Sequence, residues 1–155
     1  MLLDRAAIAR RIPHQGSMCL LDQLVHCDAE QIVCCTERHL DPHNPLRNAQ
    51  GLPATAGVEI AAQAMALHGA LLADSASEPT QGYLASVRQL SLNVDWLDQC
   101  AGRLEIRARR LSAGSNSVLY GFSIVHEDEQ LLNGRAAVIL DAAVFGADQA
   151  EGGRQ

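Results

Sequence analysis

The sequence predicts an α+β fold in which one long helix is wrapped by a curved antiparallel sheet. Three observations predict it. One long apolar stretch, Ala56 to Ala73, has helical character and lies between polar breaks. Two strand-like runs precede it and several follow it, parted by short turn-like segments. The order of short helix, hairpin, long helix and meander sets one buried helix against one antiparallel sheet. A chain of 155 residues fits a single core. The expected organisation is one domain over residues 1–145 and a disordered polar tail over 146–155.

Each element has its own local reason. Leu2, Leu3, Ala6, Ala7, Ala9 and Ile12 give a short amphipathic helix that Pro13 ends. Met18–Val25 and Gln31–Leu40 are apolar-rich, and Asp28-Ala29-Glu30 turns one into the other as a hairpin. Asp41–Pro53 holds Pro42, Pro45, Pro53, Asn44, Asn48 and Gly51, so it is an irregular loop, long enough to be functional. Thr55 is placed to cap the helix from Ala56 to Ala73. Ala62, Ala66, Gly69 and Ala73 make that helix thin, so other elements can wrap it closely. After the polar break Ser75–Gln81, strands read as Tyr83–Val94, Gly102–Leu111, Val118–His126 and Gln130–Leu140. Turns at Ala113–Asn116 and Glu127–Glu129 separate the last three.

Hydrophobic residues make up 48% of the chain and aromatics 3%, so the core is aliphatic. A domain of this size needs neither disulfide nor metal to fold. The charge balance is 12 Lys+Arg against 18 Asp+Glu. Without a basic stripe or stacking aromatics, no nucleic-acid partner is expected. The same acidity weighs only weakly against an acidic partner such as an acyl carrier, because a local basic patch can still exist. The amino terminus lacks the pattern of a signal peptide. Glu59, Gln63 and His68 interrupt the most apolar stretch, so it is not read as a membrane span. Five cysteines, an odd set without secretory context, are expected as reduced thiols in the cytoplasm. His26-Cys27, Cys34-Cys35 and His39 cluster soft ligands, but adjacent strand residues face opposite ways. No metal and no cofactor is therefore expected.

Ile12-Pro13-His14-Gln15 and Leu20-Leu21-Asp22 resemble the opening of the 3-hydroxyacyl-[acyl-carrier-protein] dehydratases, a family of hotdog folds. Pro53, Gly57-Val58 and Gln63-Ala64-Met65-Ala66 resemble that family's helix start. Gly82–Val87 and Gly134–Ala137 are similar to its later strands. Asn44-Pro45-Leu46-Arg47, Gly51-Leu52-Pro53-Ala54 and Gly57 to Ala66 look most like the ApeP-like branch, found in aryl-polyene and xanthomonadin clusters. The resemblance implies a hotdog fold, an acyl thioester substrate and paired sheets closing an acyl tunnel. It also exposes departures. The position of the family's catalytic His falls on Asn48, and that of its helix carboxylate on Ala62 or Gln63.

Eliminating water from a 3-hydroxyacyl thioester needs a base for the C2 proton, an acid for the C3 hydroxyl and donors for the thioester oxygen. The N–H groups at a helix start can be such donors, which points to Gly57 and Val58. Gly57 would admit substrate, or equally a neighbouring backbone. Glu59 is the one carboxylate on the helix before Asp74 and sits at i, i+4 from Gln63. Among apolar neighbours it needs a partner or its proton, and both suit an acid catalyst. The alternative is a solvated acid favoured by the helix dipole.

The base at neutral pH should be a histidine. His26, His39 and His126 sit among charged residues and are expected on the surface. His68 is about 13 Å along the helix from Glu59 at 1.5 Å per residue, and is expected as a satisfied core histidine. His14 is the choice, because the segment it resembles lines the acyl tunnel. Its alternative is a structural tie between first helix and sheet. The catalytic candidates are thus Glu59 and His14, and the substrate-binding candidates Gly57, Val58, Gln63, Asn48 and His43.

Three functions follow from this pattern: a 3-hydroxyacyl-carrier-protein dehydratase, a catalytically silent subunit of an active dehydratase, or a hotdog thioesterase. The expected partners are an acyl carrier protein and a second hotdog subunit, identical or not.

Overall fold

The computed structural model describes residues 3–13, 16–73 and 82–140. His14 and the tail from Gly146 lie outside these residues. The elements are α1 (Arg5–Ala9), β1 (Gln23–Cys27), β2 (Gln31–Thr36), α2 (Ala56–Leu72), β3 (Gly82–Leu92), β4 (Leu104–Ala113), β5 (Ser117–His126) and β6 (Glu129–Leu140). The six strands form one antiparallel sheet in the order β1-β2-β4-β5-β6-β3, and α2 packs against β2, β3, β4 and β5. This is the expected α+β hotdog architecture.

Alternation carries the sheet. On β5, Val118, Tyr120, Phe122 and Ile124 are buried while the residues between them are only half-buried. Leu104, Ile106 and Ala108 do the same on β4. Their buried faces meet Ile60, Ala61, Ala64 and Leu67 of α2 in one aliphatic core. β5 and β6 join through Glu127 and Asp128, both with positive φ (48° and 69°), the twist that a two-residue hairpin turn requires.

Four local expectations change. α1 is confined to Arg5–Ala9, with Asp4 as its cap: the Asp4 carboxylate accepts the Ala7 N–H at 2.9 Å. β1 begins at Gln23 rather than Met18, because Cys19, Leu20 and Leu21 are buried in succession and so cannot alternate between faces. β2 ends at Thr36, and Arg38–Leu40 is a 3-10 turn. Thr55 does not cap α2 with its side chain. The first amides there are satisfied by backbone instead: Ala56, Gly57 and Val58 donate to the carbonyls of Pro53, Ala54 and Thr55.

Among the described residues, no helix is long and apolar enough to cross a membrane, and no group of three or more His, Cys, Asp or Glu is placed to hold a metal ion.

Candidate active site

The start of α2 is positioned by the loop before it. Asn44 is buried: its amide donates to the Arg38 carbonyl and its side-chain oxygen accepts the Leu46 N–H, both at 2.9 Å. Asn48 and Gly51 form a tight backbone bridge, closed further by the Asn48 side-chain oxygen accepting from Gln50 and Gly51. Asp98, on the 3-10 turn Leu97–Gln99, then fastens the loop. It accepts the Leu52 N–H at 2.9 Å and faces Arg47 at 3.4 Å. Gly51 has φ +139°, and a Cβ there would lie 2.6 Å from Asp98 Oδ2, so glycine is required on both counts. Leu97 N–H to Leu52 O and Ala54 N–H to Asp95 O complete the attachment.

On α2 itself, Gln63 is fully buried and holds the chain segment that follows His14. Its Oε1 accepts the Leu20 N–H at 2.8 Å and its Nε2 donates to the Met18 carbonyl at 2.6 Å. Arg5 also holds this segment, donating to the Gly16 and Cys19 carbonyls at 2.9 and 2.7 Å. Glu59 lies one turn closer to the start of α2 on the face of Gln63, half-buried. The structure thus brings Glu59, Gln63 and the segment Gly16–Leu20 to one side of the helix.

Other candidates are placed differently. Asn48 is exposed and its acceptor is spent within its own turn. His43 is exposed on the loop, its backbone N–H donating to the Asp41 carboxylate. Gly57 is buried, and a Cβ there would lie 2.6 Å from Leu132 Cδ2, so its missing side chain is already explained by close packing. Val58 is half-buried beside it.

The remaining histidines separate clearly. His26 is exposed and pairs with Asp28, whose carboxyl is held down at about 2 by that bond and by the Glu30 and Gln31 amides. His126 is half-buried and donates to the Ala101 carbonyl. His39, expected on the surface, is fully buried and donates from Nε2 to the Cys100 carbonyl at 2.9 Å. The 3-10 turn carries it inward although Glu37 and Arg38 beside it are charged. Burial lowers its pKa. His68 is the core residue expected: Nε2–H donates to the Asp28 carbonyl at 2.7 Å, so Nδ1 is left to accept the Tyr120 hydroxyl at 2.8 Å. Burial lowers the His68 pKa and pushes the Tyr120 phenol up to about 12. The thiols of Cys27, Cys34, Cys35 and Cys100 are all raised by burial, the opposite of an activated nucleophile.

Two features were not read from the sequence. One is Asp98 as the anchor of the central loop. The other is a basic concavity of ≈ 600 Å³ on the sheet face turned away from α2, lined in part by Arg107, Arg109 and Arg135.

Comparison with known proteins agrees with this architecture. No curated protein sequence matches the chain. Among solved structures, a chain of the dehydratase heterocomplex ApeI:P from Xenorhabdus doucetiae superposes with a TM-score of 0.76 at 23% identity, covering 85% of this chain and 89% of that one. A thioesterase from Haemophilus influenzae gives 0.62 at 13% identity, covering 89% and 90%. A thioesterase from Staphylococcus aureus gives 0.58 at 15%, covering 76% and 91%. At these identities the structures share the fold. The sequence itself matches the ApeP-like family, described as ApeP dehydratase, over residues 6–145, and the chain therefore belongs to that dehydratase family.

Proposed function

We propose that this chain is a cytoplasmic subunit of a hydro-lyase that converts a 3-hydroxyacyl thioester on an acyl carrier protein to the 2-enoyl form, in fatty-acid or polyene biosynthesis. The family match over residues 6–145 carries this reading. In the proposed reaction His14 takes the C2 proton and Glu59 gives a proton to the C3 hydroxyl. The electrons of the C2–H bond become the second C2–C3 bond as the C3–O bond breaks and water leaves. The thioester oxygen, where charge develops, shares the amides of Gly57 and Val58 with their turn carbonyls. The position of Glu59 supports this, one turn from the Gln63 clamp that holds the segment following His14.

The second subunit docks along β3 in this proposal. β3 is an edge strand of eleven residues with Leu84, Leu90 and Leu92 exposed. Long apolar edges of this kind invite pairing with another chain. The relative from Xenorhabdus doucetiae is described as part of a heterocomplex, which favours a non-identical partner.

One observation favours a catalytically silent role instead. The position of the family's catalytic His falls on Asn48 and that of its helix carboxylate on Ala62 or Gln63; Ala62 has no acid group, and Asn48 and Gln63 are engaged in structural hydrogen bonds. Product analysis separates the readings. The chain, alone and with a hotdog partner, is incubated with a 3-hydroxyacyl carrier protein and the acyl product is identified by mass. Enoyl product dependent on Glu59 supports the proposed reaction. Enoyl product formed only with the partner and indifferent to Glu59→Gln identifies a silent subunit. Free acid identifies a thioesterase and overturns the proposal.

A further inference from the structure

The outer face of the sheet collects charge that the sequence keeps far apart. The register places Arg109 opposite Gly121, Gly121 opposite Arg135, and Arg135 opposite Arg88, a single row across β4, β5, β6 and β3. In the next row Arg107 faces Ser123, and Ser123 faces Asn133. All these arginines are exposed, while the alternate residues Ala108, Phe122 and Ala136 are buried against α2. Gly121 has no side chain, so the row has a floor between Arg109 and Arg135, and the concavity of ≈ 600 Å³ opens there.

The neutralisation of this face is incomplete. Arg107 bonds Glu105 through Nε at 2.7 Å, and Arg109 reaches exposed Glu30 only at 3.8 Å. Arg88 and Arg135 have no carboxylate partner among the described residues, although they face each other as ladder neighbours. Like charges directly opposite on paired strands are destabilising. A second local rule is broken at the same place. Gln89, which also lines the concavity, has φ 55° at a bulge of β3, a conformation that non-glycine residues seldom adopt. Two locally unfavourable choices thus coincide at the concavity.

We infer that this face docks an acidic helical protein surface, that of the carrier protein, and the inference rests on the carrier-protein function proposed above. Strands are about 5 Å apart, so Arg109, Arg135 and Arg88 stand at roughly 0, 10 and 15 Å along the row. Carboxylates on one face of a helix recur every ~5–6 Å, a spacing that meets such a row. An exposed row of arginines across four strands suits a protein surface better than a small enclosed ligand. A second copy of this chain is disfavoured on the same face, since symmetry would set arginine against arginine. The rest of the chain is acidic, with net charge −6 overall, so this patch would also orient an acidic partner in approach.

The test is titration of a fluorescently labelled, phosphopantetheinylated acyl carrier protein with the full chain in its native assembly. Arg135→Glu and the pair Arg88→Glu/Arg109→Glu should each weaken binding at least tenfold and flatten its salt dependence. Arg135→Glu should fold as well as the parent, because it puts a carboxylate opposite Arg88. Parent-like binding by these variants overturns the inference, as does the absence of carrier binding by the parent. Tighter, Arg135-dependent binding of duplex DNA or of phosphatidylglycerol vesicles also overturns it. Turnover of a pantetheine-linked 3-hydroxyacyl thioester, which needs no docking, keeps the two claims apart. Unchanged turnover in Arg135→Glu with lost carrier binding supports docking, and no turnover by the parent assembly refutes the function while the titration still reads docking.

Discussion

Replacing Gln63 by leucine tests whether this buried amide is a clamp. Leucine has similar volume and opens no cavity, but it removes both bonds to the segment after His14. Leu20 is buried, so its N–H would be stranded, at about 1–3 kcal/mol. Met18 is half-buried, so its carbonyl can recruit water and lose only about 0.5–1.5 kcal/mol. Burial of the leucine offsets part of this, leaving a net destabilisation of about 2 kcal/mol. In a domain of this size that lowers Tm by roughly 4–8 °C. Urea denaturation followed by circular dichroism reads the first quantity and a thermal scan the second. Gln63→Glu adds a sharper signature. Its carboxylate can accept from Leu20 but has no donor for Met18 unless protonated, so its stability should be present at low pH and lost as pH rises. A Gln63→Leu variant within about 0.5 kcal/mol of the parent, the range of neutral surface changes, would refute the clamp. So would a Gln63→Glu variant with no added pH dependence.

Other outcomes follow from the same geometry. Gly51→Ala should destabilise by about 1–3 kcal/mol, because it strains a positive φ and collides with Asp98; a parent-like unfolding midpoint would contradict this. Tyr120→Phe leaves the buried Nδ1 of His68 without its donor and should cost about 1–3 kcal/mol in denaturant unfolding. His68 and His39 both have lowered pKa values, so below pH 6.5 the unfolded chain binds protons that the folded chain refuses. Unfolding free energy should therefore be level from about pH 7.5 to 8 and fall on acidification until the depressed folded values are reached. A second loss should follow below pH 4, toward about 2, as the Asp28 carboxylate is protonated. Flat stability between pH 7.5 and 5 would contradict the histidine assignment.

The strands of the meander were legible because β5 and β4 alternate with the period of a half-buried sheet. α2 was legible from its length and its polar flanks, even though its cap turned out to be backbone rather than Thr55. β1 was misplaced because a continuous buried run, Cys19–Leu21, looks like a strand but packs as coil tied down by Gln63. His39 was misread because charged neighbours say nothing of where a 3-10 turn points its middle residue. Glu59 and Gln63 were paired correctly on one face from spacing alone. The backbone hydrogen bonds of the substrate-binding candidates Asn48 and Gln63 are invisible in a sequence, because their partners are set by the turn and by the packing of the segment before β1. The arginine row was hidden because Arg88, Arg109 and Arg135 meet only through the strand order.

The central claim is that this chain supplies an acid group to the elimination. It is tested most directly by the initial rate of enoyl formation in the assembled protein when only this chain carries Glu59→Gln. The amide keeps the shape of the side chain and much of its hydrogen bonding, so fold and assembly should survive. The rate should fall at least about a hundredfold, the lower range for general acid–base groups. His14→Ala should fall similarly, and the double variant little further, because groups acting as a unit are not additive. An unchanged rate in Glu59→Gln, with assembly intact, would contradict the claim and leave the chemistry to the partner subunit.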